Sequence, residues 1–394
     1  MGRHASTPSR PPIRQRCVRA GVGMVAGLVL IAASGCTSPS PKSGAGPSST
    51  ATGAGTAASG TASGAGPSSA ATGAGTAAAR SDPPVSTVVD RLDTPWAVAF
   101  LPEDGGALVT ERDSARLVLV RNGAATEVGR IDAARPAGEG GLLGIALSPG
   151  FSTDRRVFLY YTAADDNRVE SFRYADGRLS DGRVVLSGLE KNRTHNGGRI
   201  AFGPDGYLYI GTGDAQDRSA PQDRSKLNGK ILRVTADGRP APGNPIGDSP
   251  VYSYGHRNVQ GLAWDPAGRL WATEFGPTVD DEVNLIRAGA NYGWPEVTGA
   301  PHRPEFVDAA VVWPSTADCS PSGGAVVGGA LWVAALRGER LWRIPLDGDR
   351  AGAPVASLQG RYGRLRDVQL APDGSLWVLT DHGTDSTILR VTAS

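Results

Sequence analysis

Six times between Val98 and Gly383 the sequence repeats one local form: a short apolar run, a tight turn, and a second run in which apolar and polar residues alternate. The clearest copies are IAFGPDGYLYIGTGD from Ile200, LAWDPAGRLWATEFG from Leu262 and VQLAPDGSLWVLTDHG from Val368. Looser copies start at Val98, Ile145 and Gly323. Pro, Asp and Gly between two such runs specify a β-hairpin. Asp205 and Asp265 lie 60 residues apart, and Asp265 and Asp373 lie 108 apart with one looser copy between them. The unit is therefore roughly 50 to 60 residues, the size of a four-stranded propeller blade. Six units predict an all-β fold, a six-bladed β-propeller over residues 81–394, closed in a ring that leaves few strand edges exposed. A β-sandwich would space its strands more closely and evenly. Loops at one end of the blades converge on the central channel, so function is expected in the connections between blades.

The chain has 394 residues, with 54 glycines and 29 prolines, and not all of these serve turns. Between Thr37 and Ala79 there is one charge, Lys42, no aromatic residue, and little besides Ala, Gly, Ser, Thr and Pro. Such a stretch buries too little apolar surface to offset its ordering entropy, so residues 36–80 read as a flexible linker. Ahead of it, Met1 to Arg19 is basic without an acid, and Ala20 to Ala33 is apolar but shorter than the roughly 18 residues of a membrane-spanning helix. This is the anatomy of a signal peptide over residues 1–35. It ends in Ala33-Ser34-Gly35-Cys36, which resembles the lipobox of bacterial lipoproteins, with Cys36 as the lipidated first residue of the mature chain. The expected location is extracytoplasmic, anchored to the cell membrane. An ordinary cleaved signal with an incidental Cys36 is the alternative.

Forty Lys+Arg balance 39 Asp+Glu, a net charge of +1 that gives no reason to expect nucleic acid as a partner. The three cysteines, two of them at Cys17 and Cys36, build no disulfide framework. No Cys/His spacing suits structural zinc, no glycine pattern opens a nucleotide-binding βα unit, and no GxSxG elbow is present. His195 and His256 each stand in a polar, glycine-bearing loop just before an apolar run. Asp280-Asp281-Glu282 follows Gly276-Pro277, and fits either calcium ligation or a solvated turn.

Taken in order, the loops resemble those of the soluble quinoprotein glucose and aldose sugar dehydrogenases, the glucose/sorbosone dehydrogenase family. The resemblance rests on GEGGLLGIALSP from Gly138, THNGGRIAFGPDGYLYIGTGD from Thr194, LNGKILRV from Leu227, YSYGHRNVQGLAW from Tyr252, EFGPTVDDEVNLI from Glu274, GANYGWP from Gly289 and GRLRDVQLAPDGSLWVLTD from Gly363. It implies a six-bladed propeller that binds pyrroloquinoline quinone (PQQ) and calcium and oxidises an aldose at C1 to the lactone, passing electrons to an external acceptor.

By the same resemblance His195 is the general base for the anomeric hydroxyl. Glu139 stands where a glutamine-type substrate contact lies, and Thr194 where the glucose enzymes carry an acid; both departures leave the sugar open. Arg257 corresponds to the arginine at the reacting quinone oxygen, Asn258 to a PQQ hydrogen-bond donor, and Arg364 and Arg366 to the pair that grips the PQQ carboxylates. Arg337 replaces a cofactor-binding lysine. Trp313 aligns with an aromatic flanking the cofactor, or is a core residue. The carbonyls of Gly276 and Pro277 correspond to ligands of the cofactor-linked calcium, and Glu282 with the Tyr292 carbonyl to a second calcium site. The rival expectation is a propeller of the same ancestry that binds carbohydrate or protein without PQQ; it predicts a broken cofactor set.

Overall fold

The computed structural model describes residues 1–2, 82–102 and 106–392. The expected signal segment, Cys36 and the linker over 36–80 lie outside the described residues. The chain divides into two units, Met1–Gly75 and Thr76–Ser394, and the propeller belongs to the second. Among the described residues no helix is long and apolar enough to cross a membrane.

Six antiparallel sheets form the blades of one propeller, and each expected hairpin is the inner pair of strands of a blade. Those pairs are Pro95–Phe100 with Ala107–Glu111 (blade 1), Leu142–Leu147 with Arg156–Thr162 (blade 2) and Ile200–Phe202 with Leu208–Gly211 (blade 3). They continue as Val259–Trp264 with Leu270–Glu274 (blade 4), Pro321–Val327 with Ala330–Ala335 (blade 5) and Leu365–Leu370 with Leu376–Thr380 (blade 6). In the three clearest copies the turn glycine takes the left-handed conformation that the turn demands: φ is 78° at Gly206, 80° at Gly268 and 83° at Gly374. Blades 1 to 5 add their outer strands in chain order. Blade 6 instead completes itself with the first strand of the fold, Val85–Leu92, which pairs with the last, Ser386–Val391.

Burial follows this layering. Inner strands lie between neighbouring blades and are buried nearly throughout, as at Ala330–Ala335, whereas the outer strands Ala124–Arg130 and Arg178–Leu189 are mostly exposed. Apolar side chains fill the gaps between blades, among them Trp96, Trp271, Tyr160 and Tyr161. Trp313 is part of this core: it is buried and packs at a tilt on Trp342, centroids 5.7 Å apart. Rigid sheets thus carry two sets of loops to one end of the ring, those entering each inner strand and those leaving the second strand.

Candidate active site

His195 sits in the loop entering blade 3, with a left-handed φ of 58° that its surroundings enforce. Its N–H donates to Glu139 Oε2 (2.8 Å) and its carbonyl accepts from Ala215 N–H (3.1 Å). That carbonyl crosses Gly213 so closely that a Cβ there would lie 1.9 Å from it, so this position admits only glycine. His195 Nδ1 meets Asp214 Oδ1 at 2.7 Å. A carboxylate is an acceptor, so Nδ1 carries the proton and Nε2 keeps its lone pair in the neutral ring. Burial raises the Asp214 carboxyl, but the hydrogen bonds from His195, Gln216 N–H and the Trp294 indole outweigh it and hold the group below its ordinary value. Asp214 therefore stays ionised and fixes the tautomer that can take up a proton.

His195 faces a cleft of ≈ 230 Å³ at the loop end of the ring, lined also by Glu139, Arg257, Gly276, Pro277, Asp281, Arg337 and Arg364. Residues from blades far apart in sequence thus share one wall. Arg257 Nη1 donates to the Phe275 carbonyl (3.1 Å), and burial lowers the affinity of its guanidinium for its proton despite Asp214, Glu274, Glu139 and Asp281 nearby. Arg337 Nη1 donates to Thr316 Oγ1 at 3.0 Å. Asn258 lies behind the wall, its Oδ1 accepting from Gly197 N–H at 3.0 Å. Among the described residues, two donors here have no protein partner although buried: Arg257 Nε and Asn258 Nδ2. Unpaired buried donors are costly, and three guanidinium groups against two carboxylates make the cleft suited to an anionic group rich in acceptors. A wider groove of ≈ 490 Å³ between blades 1 and 6 is mainly apolar and brings together no such set.

Residues 92–390 match the family model described as Glucose / Sorbosone dehydrogenase. The chain belongs to the glucose/sorbosone dehydrogenase family. It is similar to the aldose sugar dehydrogenase YliI of Escherichia coli, at 32% identity over 76% of this chain and 90% of that protein. Among solved structures it resembles the PQQ-bound aldose sugar dehydrogenase of Streptomyces coelicolor, at 48% identity and a TM-score of 0.74, covering 78% of this chain and 99% of that one. The soluble aldose sugar dehydrogenase of Escherichia coli in its apo form is similar at 32% identity and a TM-score of 0.71, over 79% and 99%.

In this member of the family the remaining expected residues fall into two further groups. Arg366 does not line the cleft: it is buried in the inner strand of blade 6 and donates from Nη2 to Asp381 Oδ2 at 2.6 Å. Arg364 stands at the cleft, 3.5 Å from the same oxygen. Burial raises the Asp381 carboxyl, yet Arg366, Arg112 and Arg364 bring it down to about 2, so it remains an anion behind the two arginines. Glu282 and Tyr292 line a small separate cavity of ≈ 10 Å³ together with Glu274, Gly276 and Pro277. Burial, and then the charge of Glu274, push the Glu282 carboxyl up to about 8. The Tyr292 hydroxyl is taken by the Leu285 carbonyl (2.7 Å), which leaves only its own carbonyl for a ligand. Among the described residues no three His, Cys, Asp or Glu side chains converge as a metal cluster, so a cation here would lean on backbone carbonyls.

The acidic triplet is no solvated turn, since Asp281 and Glu282 are both buried. Asp281 accepts from Gly276 N–H (2.9 Å) and Ser320 N–H (2.6 Å), while burial raises it to about 6. His256 is structural: it is fully buried, bonded to Glu274 and Ser253, and stacked on Tyr292. No local sequence pattern marks Asp214 or Trp294 as functional. The only signal for Asp214 was its place, directly after the second strand of the hairpin that follows His195.

Proposed function

We propose that this protein oxidises an aldose at C1 to the lactone with PQQ as its resident oxidant, and that it works outside the cytoplasm, tethered through a lipid on Cys36. One observation carries the reading: a histidine whose Nδ1 is locked by an ionised aspartate lines an arginine-bearing cleft that is backed by unpaired buried donors. The PQQ-bound Streptomyces coelicolor relative supports it. PQQ, when bound, supplies a two-electron acceptor for hydride.

Every other part of the task falls to the chain. His195 Nε2 accepts the proton of the anomeric hydroxyl, and Asp214 stabilises the imidazolium that forms. Arg257 Nε and Asn258 Nδ2 are the donors that would bond to PQQ, and Arg337 and Arg364 the cations that would pair with its carboxylates. Arg366 acts from behind, sharing Asp381 with Arg364. Glu139 spends one oxygen on His195 N–H and keeps the other for a sugar hydroxyl. The carbonyls of Gly276 and Pro277 would hold one calcium ion, and Glu282 with the Tyr292 carbonyl a second. The raised Glu282 carboxyl beside Glu274 supports this, because a cation removes the repulsion between them. Electrons leave to an external acceptor. A binding propeller without this chemistry would have no use for a locked base beside unpaired donors.

The deciding experiment reconstitutes the purified protein with PQQ and calcium and follows dye reduction over a panel of aldoses, with EDTA-treated and PQQ-free controls. Turnover should require both additions. His195→Ala should still bind PQQ and lose about 100- to 10,000-fold in kcat. Near-normal turnover in that variant would remove His195 as the base, and a wild-type protein unable to bind PQQ would end the reading.

A further inference from the structure

Trp294 reaches the site by an unusual route. It belongs to the long connection between the third and fourth strands of blade 4, Asp281–Ile286 and Val311–Trp313. The segment from Gly289 climbs the outer edge of blade 3 parallel to Val251–Tyr254: Gly289 N–H donates to the Tyr252 carbonyl (2.7 Å), Tyr292 N–H to Tyr254 (2.9 Å) and Trp294 N–H to Gly255 (2.9 Å). The Trp294 carbonyl in turn accepts from Gln222 Nε2 at 2.8 Å. A buried indole is thus delivered, fixed at its backbone on both sides, to the rear of the cleft.

There it touches both groups on which the chemistry depends. Its Nε1–H donates to Asp214 Oδ2 at 2.8 Å, while His195 and Gln216 N–H share Oδ1. The Asp214 carboxylate is held at both oxygens and cannot rotate without breaking a bond. The same ring stands 5.4 Å from the Arg257 guanidinium carbon, within cation–π range, and 4.6 Å from that of Arg218. We infer that Trp294 is the positioning residue of this site: one indole sets the His195–Asp214 pair through its N–H and the Arg257 guanidinium through its face. The inference rests on the reading of His195 as base. It assigns a role in rate rather than in substrate affinity, because Trp294 does not line the cleft. The groups facing His195 are Asp214 and Glu139, with Arg257, Arg337, Arg364 and Asp281 on the same cleft, and the substitution below changes none of them.

The test is Trp294→Phe, which keeps a ring beside Arg257 and removes the N–H. With PQQ and calcium, kcat should fall about tenfold or more with KM changed less than threefold. Combined with Asp214→Asn, it should cost no further activity, since both changes break one unit. A second readout needs no cofactor: ¹⁵N spectra of the apo protein should show the His195 ring shifting from a single Nδ1–H tautomer toward a mixture. An unchanged kcat, or a His195 spectrum identical to wild type, overturns the inference. A wild-type protein inactive on every aldose, with the His195 tautomer still responding to Trp294→Phe, would overturn the enzymatic reading and leave the positioning contact supported. Should Trp294→Phe not fold, Asp214→Asn decides. Loss of the downfield His195 Nδ1–H signal together with an upfield move of the Trp294 indole proton supports the inference, and an unmoved indole proton overturns it.

Discussion

Lys230 is completely buried in blade 3, where its Nζ donates to the carbonyls of Ala220 (2.6 Å) and Asn228 (2.8 Å). Two acceptors match the two hydrogens of a neutral amine, and burial pulls the group from its ordinary 10.5 down to about 7. Between those values the unfolded chain carries a proton that the folded one lacks, so this residue makes stability rise with pH across that window and adds nothing below it. Urea midpoints taken at pH 7 and pH 9.5 should show the rise in wild type. Lys230→Met should flatten it, while lowering stability by about 1–3 kcal/mol for the carbonyls left unpaired. The same residue-scale logic explains what the sequence could not reveal about the site. His195 stands out as a loop histidine, but Asp214 acquires its meaning only when the hairpin Ile200–Gly211 folds back and brings the two within 2.7 Å. Trp294 is 80 positions from Asp214 and arrives on another blade's connection, a contact for which no local pattern exists.

At the scale of elements, the inner hairpins were the legible part of this chain. Their turns are written in residues with a single structural use, and their strands are buried on both faces, so chemistry and position agree. Gly206 offers a clean measure of that turn chemistry: it has a φ of 78°, and an added Cβ would meet nothing within 4 Å. Gly206→Ala should therefore destabilise by about 1–2 kcal/mol through the backbone alone, read as a shifted urea midpoint with an unchanged slope. Outer strands were less legible. Ala124–Arg130 and Arg178–Leu189 are mostly solvated and need no apolar face, so nothing in their composition sets them apart from loops. The arginine pair was legible only in part. Spacing puts Arg364 and Arg366 on one face of an extended chain, but the strand begins at Leu365, so Arg364 remains at the cleft while Arg366 is drawn inside.

Across the whole molecule, the ring is braced at its axis. Arg199, entering blade 3, meets Asp367 of the opposite blade 6 at 3.1 Å, donates from Nε to the Gln260 carbonyl of blade 4 (2.8 Å), and lies over Trp96 of blade 1 at 4.3 Å. Burial works against both charges, lowering the proton affinity of Arg199 and raising that of Asp367. Such a pair adds little net stability, yet removing one partner strands the other. Arg199→Met should cost about 3–5 kcal/mol, and Arg199→Met with Asp367→Leu should recover most of it. A loss in the double variant equal to the sum of the two single losses, measured by denaturant unfolding, would show that the charges do not act as a pair.

The closure of the ring also has a history in time. Val85 sits opposite Val391, so the first strand to emerge waits for the last before its sheet exists. At ribosomal speeds that separation amounts to roughly 15 to 60 s during which an apolar-bearing edge has no native neighbour. Five blades can assemble in order of appearance, but the sixth is complete only when Ser386–Val391 reaches Val85–Leu92. Any cell that makes this protein must guard Val85–Leu92 until Ser386–Val391 arrives.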